Sequence, residues 1–287
     1  MWDASAMLKS LLVRRFWSAF MSVVAALCAG LAATVLALIV VFVVTRGAKA
    51  LNWAFFTKLP MPVGMEGGGV ANAIVGSGEI ILMASLAAVP IGVIAGIYLA
   101  LFGRGRLAAS VRFFSDVLTG MPSIAIGVFA YALVVLPIGK FSALSASVAL
   151  AVIMLPIVVR TTEEAVRLVP STIREGALAL GLPAWKATMI VTVPSARPGI
   201  VTGTLLAVAR VAGESAPLLF TAFGSQFWAK TVFGPTAALP LLIFNYAISP
   251  YPDWQQIAWG CAFVLVVLVF ALNLIARLAF SSQIHAR

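Results

Sequence analysis

Six apolar runs constrain this chain more than any other feature: Phe20 to Val44, Ala73 to Phe102, Phe113 to Leu136, Leu144 to Val159, Gly199 to Ala222 and Ile257 to Phe280. A helix that crosses a bilayer needs roughly 20 mostly apolar residues, because hydrocarbon offers no partner to an unpaired backbone group. Composition agrees: of 287 residues, 62% are hydrophobic and 10% charged, outside the range of water-soluble domains of this length. The expected fold is all-α, a polytopic membrane protein of six transmembrane helices. The fourth run is short and is expected to draw on Phe141 and Ser142 for length. With no internal repeat, low-complexity tract or soluble domain in the sequence, residues 1–287 are expected to form a single membrane domain.

Charge gives the expected topology. Lys9, Arg14 and Arg15 precede the first run, Arg104, Arg106 and Arg112 separate the second and third, Arg160 to Arg197 separates the fourth and fifth, and Arg277 and Arg287 end the chain. All four groups fall on the cytoplasmic side if the amino terminus is inside, with Arg46, Lys49 and Lys58 opposite, so both termini are expected in the cytoplasm. The net charge of +10 lies in short clusters between apolar runs rather than on one soluble face. Without a zinc, RNP or basic-helix signature, that pattern fits anionic lipid and topology and argues against nucleic acid. Cys28 and Cys261 lie inside apolar runs without a Cys-x-x-Cys partner and read as packing residues. His285 is the one histidine and sits in the polar tail, which argues against a histidine-dependent reaction or metal site, and no cofactor is expected. The first apolar run is too long and too late for a cleavable signal.

The segment from Thr45 to Asn72, with Pro60, Pro62 and Gly67-Gly68-Gly69, reads as an external connector. The second external segment gathers Trp228, Phe233, Phe244, Tyr246, Tyr251 and Trp254, ring types that suit the headgroup layer. Within it Ala237 to Ala247 is expected as either a short surface helix or a folded loop. Pro90, Pro122 and Pro137 lie in or at spans, where a missing amide donor kinks a helix. Pro122-Ser123 is a pore-lining candidate, and the other two prolines read as structural.

Between the fourth and fifth runs, residues 160–198 mix acidic, basic and apolar positions. Pro170-Ser171-Thr172-Ile173-Arg174-Glu175 has the form of a helix start with Ser171 as cap. That helix is expected to reach Leu180 and close at Gly181, with Pro183 opening a second helix, Trp185 to Val193, that ends at Pro194. Glu175-Gly176-Ala177, then Gly181, then Val191-Thr192-Val193-Pro194 resembles the EAA loop of ABC-importer permeases, with Gly176 in place of the second alanine and Val191 and Val193 in place of Ile and Leu. The resemblance implies that Glu175, Gly176, Ala177, Gly181 and Pro194 belong to a knob docked on a cytoplasmic ATPase. The chain contains no Gly-x-x-x-x-Gly-Lys-[Ser/Thr] loop, so it is expected not to be an enzyme, and hydrolysis is expected from another polypeptide.

Arg210 and Glu214 fall inside the fifth run, four residues apart and so on one face of a continuous helix, where they can pair. A charge at mid-bilayer costs about 2.5–3.5 kcal/mol, so both are expected to face protein or water. Either they neutralise each other and lock the helix, or the Arg210 fork meets a translocating oxyanion while Glu214 orients it. The stretch Ala209-Arg210-Val211-Ala212-Gly213-Glu214-Ser215-Ala216-Pro217-Leu218-Leu219-Phe220-Thr221-Ala222 resembles the signature of the PstA permease family, with Ser215 in place of the usual Thr. Gly120-Met121-Pro122-Ser123-Ile124 and Gly68-Gly69-Val70-Ala71-Asn72-Ala73-Ile74-Val75-Gly76 are similar to that family too, and the likeness runs from about Gly67 to the end of the sixth run.

That resemblance implies a type I ABC-importer permease of MetI-like fold, with a core over about 70–280. It implies an ATP-driven phosphate importer in a bacterial or archaeal plasma membrane, with Arg210, Glu214 and Ser215 on the substrate path. Implied partners are a second homologous PstC-like permease, a PstB-like ATPase dimer, a PstS-like external phosphate-binding protein and membrane lipid. The alternative is a permease for sulfate, molybdate or tungstate, since an arginine alone does not separate oxyanions. A hydrolase reading of Gly213-Glu214-Ser215-Ala216-Pro217 fails on Pro217 and on the lack of a histidine in the spans. A passive channel needs no ATPase-docking loop.

Overall fold

The computed structural model describes residues 4–65 and 67–284, with side chains from Arg14 to Leu278 except Glu66. His285, Arg287 and the side chain of Lys9 lie outside the described residues. The described chain is helical, apart from loops and one isolated bridge between Phe223 and Thr236. It opens with α1 (Ala4–Gly47), α2 (Trp53–Thr57), α3 (Ala71–Leu101), α4 (Arg106–Gly120) and α5 (Ser123–Ala130). A π-helical turn, Tyr131–Val135, carries α5 into α6 (Leu136–Ile138), and α7 (Ala143–Arg167) and α8 (Ser171–Ala179) follow. Next come α9 (Ala184–Lys186), a second π-helical turn at Ala187–Thr192, α10 (Val193–Ala212), α11 (Ala216–Thr221), α12 (Leu239–Ala247) and α13 (Pro252–Ile284).

Four stretches are long and apolar enough to cross a membrane unbroken: Arg14–Ala50, Ala71–Leu101, Ala143–Arg167 and Pro252–Leu278. They hold the first, second, fourth and sixth expected spans. The third is a bent pair, Arg106–Gly120 and Ser123–Ile138, folded by 106°. A single helix from Phe113 to Leu136 fails at Pro122, because proline has no N–H and pushes the residue before it out of helical backbone. Met121 and Pro122 are accordingly extended, with ψ of 138° and 131°.

The fifth expected span is also two helices. In a continuous helix the ring of Pro217 would crowd the Gly213 carbonyl, and glycine itself is a poor helix former. α10 therefore stops at Ala212 and α11 restarts at Ala216. At its other end this span is longer than expected. Pro194 does not terminate the preceding helix but sits in the first turn of α10, after the π turn at Ala187–Thr192. A wider turn relieves the clash a proline makes with the preceding carbonyls, and the turn at Tyr131–Val135 does the same before Pro137. α7 likewise continues past Val159 to Arg167, so only 168–170 and 180–183 interrupt helix between α7 and Ala212.

α7 is the most buried of the long helices and packs along α3. Ile80 and Ala84 of α3 and Leu150 and Met154 of α7 form the core with Val211 of α10 and Leu241 of α12. α12 is a buried element rather than a surface helix: Leu239, Leu241, Leu242 and Tyr246 are all buried, and the Leu239 N–H donates to Ser77 Oγ at 2.7 Å. The external connector is anchored by α2, where Asn52 caps the helix by accepting from the Phe55 N–H at 2.7 Å and the Phe55 ring is buried near Tyr246 and Cys261. From Arg14 on, α1 lies almost wholly exposed, touching α13 through Phe42 and Trp259, whose rings meet edge to face at 5.3 Å.

Candidate functional site

Arg210 occupies the last turn of α10, where the helix dipole favours a cation, and Glu214 lies just past its end. The Gly213 and Glu214 N–H groups fold back on the Arg210 and Val211 carbonyls at 3.3 and 3.1 Å, turning the chain sharply. Ser215 then stands at the N-cap of α11, without a side-chain capping bond. α11 is pinned from both sides. A Cβ on Gly127 of α5 would meet Pro217 Cα at 2.7 Å, so only glycine lets these two helices lie so close. At the far end the Ser142 N–H and the Ser145 hydroxyl, which also cap α7, both donate to the Thr221 carbonyl at 3.0 Å.

The two helix breaks face each other across a cavity of about 100 Å³. Its wall includes Arg210 and Glu214 from the α10 break, Thr119 and Ser123 from the α4–α5 break, and Ile153 and Ile157 of α7. Arg210 and Glu214 are thus brought together, but not as a helical four-residue pair and not as an ion pair. The ion pairs among the described residues all involve Glu163 or Glu164. Ser123 joins the cavity as the first residue of α5, so a hydroxyl and the positive end of a helix adjoin the arginine. Ser215 is half-buried and is not among the lining residues. Thr119 was missed at the sequence level, because nothing in a straight helix from Phe113 to Leu136 turns it toward Arg210.

The second expected site is the corner between α8 and α9. Ser171 is not the cap: Pro170 takes that position, with no side-chain bond, and Ser171 is the first helical residue. Gly181 does adopt left-handed backbone, at φ +87°. The Gly181 and Leu182 N–H groups donate to the Leu178 and Ala177 carbonyls at 3.0 and 3.2 Å, the two bonds of a Schellman closure. Glu175 and Gly176 are exposed and Ala177 is buried. Leu180 and Trp185, beside the corner, are 87% and 63% exposed, a large apolar area for a polar loop.

A third feature was not anticipated. Glu163 of α7 is 1% exposed, and Arg112 Nε donates to its Oε1 at 2.9 Å. Arg167 shares that oxygen, and Arg160 lies 3.9 Å from Oε2. The residues were legible as basic and acidic positions, but not as one cluster, since α7 was expected to end before them.

Residues 88–282 match the family described as binding-protein-dependent transport system inner membrane component. The phosphate transport system permease protein PstA of Yersinia pestis is 45% identical over 243 residues, covering 84% of this chain and 82% of that protein. The protein of the same name from Xylella fastidiosa strain 9a5c is 48% identical over 236 residues, covering 82% of each. A chain of the MetNI methionine ABC transporter in an inward-facing conformation aligns with a TM-score of 0.58 over 73% of this chain and 95% of that one, at 19% identity, a likeness of fold alone. The fold and these matches define an integral, multi-pass membrane permease with apolar spanning helices. The chain belongs to the family of binding-protein-dependent transport inner membrane components and, within it, to the PstA permeases.

Proposed function

We propose that this chain is the permease subunit of an ATP-driven inorganic phosphate importer, forming half of the translocation path. The observation that carries the reading is Arg210, a guanidinium with no carboxylate of the described residues within ion-pair distance, placed at a helix break in a cavity that also holds two hydroxyls. An unpaired cation among membrane-level helices costs about 2.5–3.5 kcal/mol, a cost that a passing oxyanion offsets. The planar fork of arginine offers paired hydrogen bonds to phosphate oxygens, with Ser123 and Thr119 as further donors. Glu214 keeps the site from holding the anion too tightly, and Ser215 follows it on the path. The kinship with phosphate permeases selects phosphate among the oxyanions.

Arg210 is exposed in the single chain, which fits a path completed by a second homologous permease. The α8–α9 corner, with Glu175, Gly181 and the exposed Leu180 and Trp185, serves as the contact for a separate cytoplasmic ATPase dimer, whose closure it transmits. Both termini face the cytoplasm, and an external phosphate-binding protein delivers substrate to the opposite side. The test is phosphate uptake by the assembled complex in lipid vesicles, with sulfate and molybdate as competitors. Arg210→Lys keeps the charge but loses the fork, so uptake falls with expression and assembly unchanged, and Arg210→Gln lowers it further. Unchanged uptake in both variants, or a parent complex that moves sulfate or molybdate in preference, overturns the reading.

A further inference from the structure

At the end of the bundle that carries α8, a set of contacts leads to the base of α4, whose far end reaches the Arg210 cavity. Arg174 precedes Glu175 in α8, and its guanidinium sits 5.8 Å from the centre of the Phe102 ring. Its Nε is buried without a hydrogen-bond partner among the described residues, and the ring face gives the cation a contact there. Phe102 is the residue that closes α3. Beside it, Arg112 Nη2 donates to the Leu99 carbonyl at 2.9 Å and to the Gly103 carbonyl at 3.4 Å, while Arg112 Nε holds Glu163. One side chain thus ties the first half of α4 to the C-terminal end of α3 and to the middle of the Glu163 cluster on α7.

Within this chain the rest of α4 is held weakly. Its one fully buried residue is Ala108, packed with Leu99 and Val159 next to the Arg112 clamp. From Phe113 onward its side chains are exposed or half-buried. Its far end supplies Leu118 and Thr119 to the wall of the Arg210 cavity, just before the 106° bend. At 1.5 Å per residue, the 15 residues of α4 span about 22 Å. A stiff rod clamped at one end and loosely packed at the other transmits a displacement from the first end to the second.

The geometry points to α4 as the lever that carries the motion of α8 to the substrate cavity, with Phe102 and Arg112 as positioning residues that hook it to that motion. The inference rests on the assignment of α8 to the ATPase contact and of the cavity to the phosphate path. The test uses the complete complex in vesicles and two readouts. One is phosphate moved per ATP hydrolysed. The other is the thiol-labelling rate of Thr119→Cys with and without ATP and vanadate, in a Cys28→Ala background, Cys261 being buried.

Phe102→Leu keeps apolar bulk at a position that is 47% exposed but removes the ring face, whereas Phe102→Tyr keeps it. The parent and Phe102→Tyr show nucleotide-dependent labelling. In Phe102→Leu and Arg112→Gln that dependence is lost, and phosphate moved per ATP falls about tenfold, the ratio that ~1.4 kcal/mol makes in an equilibrium. Nucleotide-dependent labelling and a parental transport ratio in Phe102→Leu overturn the lever, as does a parent whose labelling ignores nucleotide. Labelling needs no phosphate, so a parent that hydrolyses ATP without moving phosphate refutes the phosphate reading and leaves the lever to be judged on labelling.

Discussion

Replacing Gly181 weakens docking of the ATPase, whereas the same replacement at Gly176 does not, and the contrast isolates backbone conformation from bulk. Beyond its own chain neighbours and helix backbone, neither glycine has an atom within 4 Å of where a Cβ would stand. Gly181, however, has φ +87°, and Gly176 lies in helical backbone. Left-handed backbone costs an L-residue roughly 1–2 kcal/mol, and a β-branched residue is a true outlier there. Undocked, the substituted corner sheds the strain by opening the paired bonds from Gly181 and Leu182 to Leu178 and Ala177, whereas the docked knob has to keep them. Drawn wholly from the docked conformation, that strain lowers affinity for the ATPase about 5- to 30-fold. Alanine at Gly176 gains helix propensity worth roughly 0.5–1 kcal/mol and leaves docking intact. The assay titrates the solubilised permease pair with the ATPase and follows binding and stimulated hydrolysis. Parental binding and hydrolysis in Gly181→Val, or equal losses in Gly176→Ala and Gly181→Ala, refute the reasoning.

Gly127→Ala drives a Cβ against Pro217 and costs about 1–3 kcal/mol, so the melting temperature of the complex falls, and an unchanged value contradicts the close approach of α5 and α11. Ser142→Ala removes the capping box at the start of α7 and costs about 0.5–2 kcal/mol, read as a lower melting temperature that Ser142→Thr largely restores. Trp185→Ala, at an exposed position, leaves thermal stability of the isolated chain unchanged but reduces ATPase binding, and equal binding by both forms argues against a docked face there.

What the sequence made legible follows from the range of the interactions involved. Apolar runs identified the four unbroken membrane helices because their length is set by the bilayer and needs no tertiary partner. Gly181 was legible for a similar reason, since a left-handed closure is a local property of glycine. The breaks were harder. Pro122 was recognised as a kink, but the bend is set by where α5 packs against α11 and α7, which no local rule contains. The same gap turns Arg210 and Glu214 from an expected helical pair into two walls of a cavity: the long apolar run favours one continuous helix, but Pro217 and Gly213 stop it between Ala212 and Ala216. Glu163 was illegible as a hub because its partners come from α4 and from its own helix, brought together only once α7 runs past Val159 to Arg167.

The central claim is that Arg210 acts on the anion rather than serving as the partner of Glu214. Phosphate uptake by the double variant Arg210→Gln, Glu214→Gln in an assembled, ATPase-competent complex tests it most directly. Two amides hydrogen-bond without buried charge, so a purely structural pair would tolerate the exchange. With no ion pair between the two residues to replace, uptake stays lost in the double variant. Recovery to near the parental rate would contradict it.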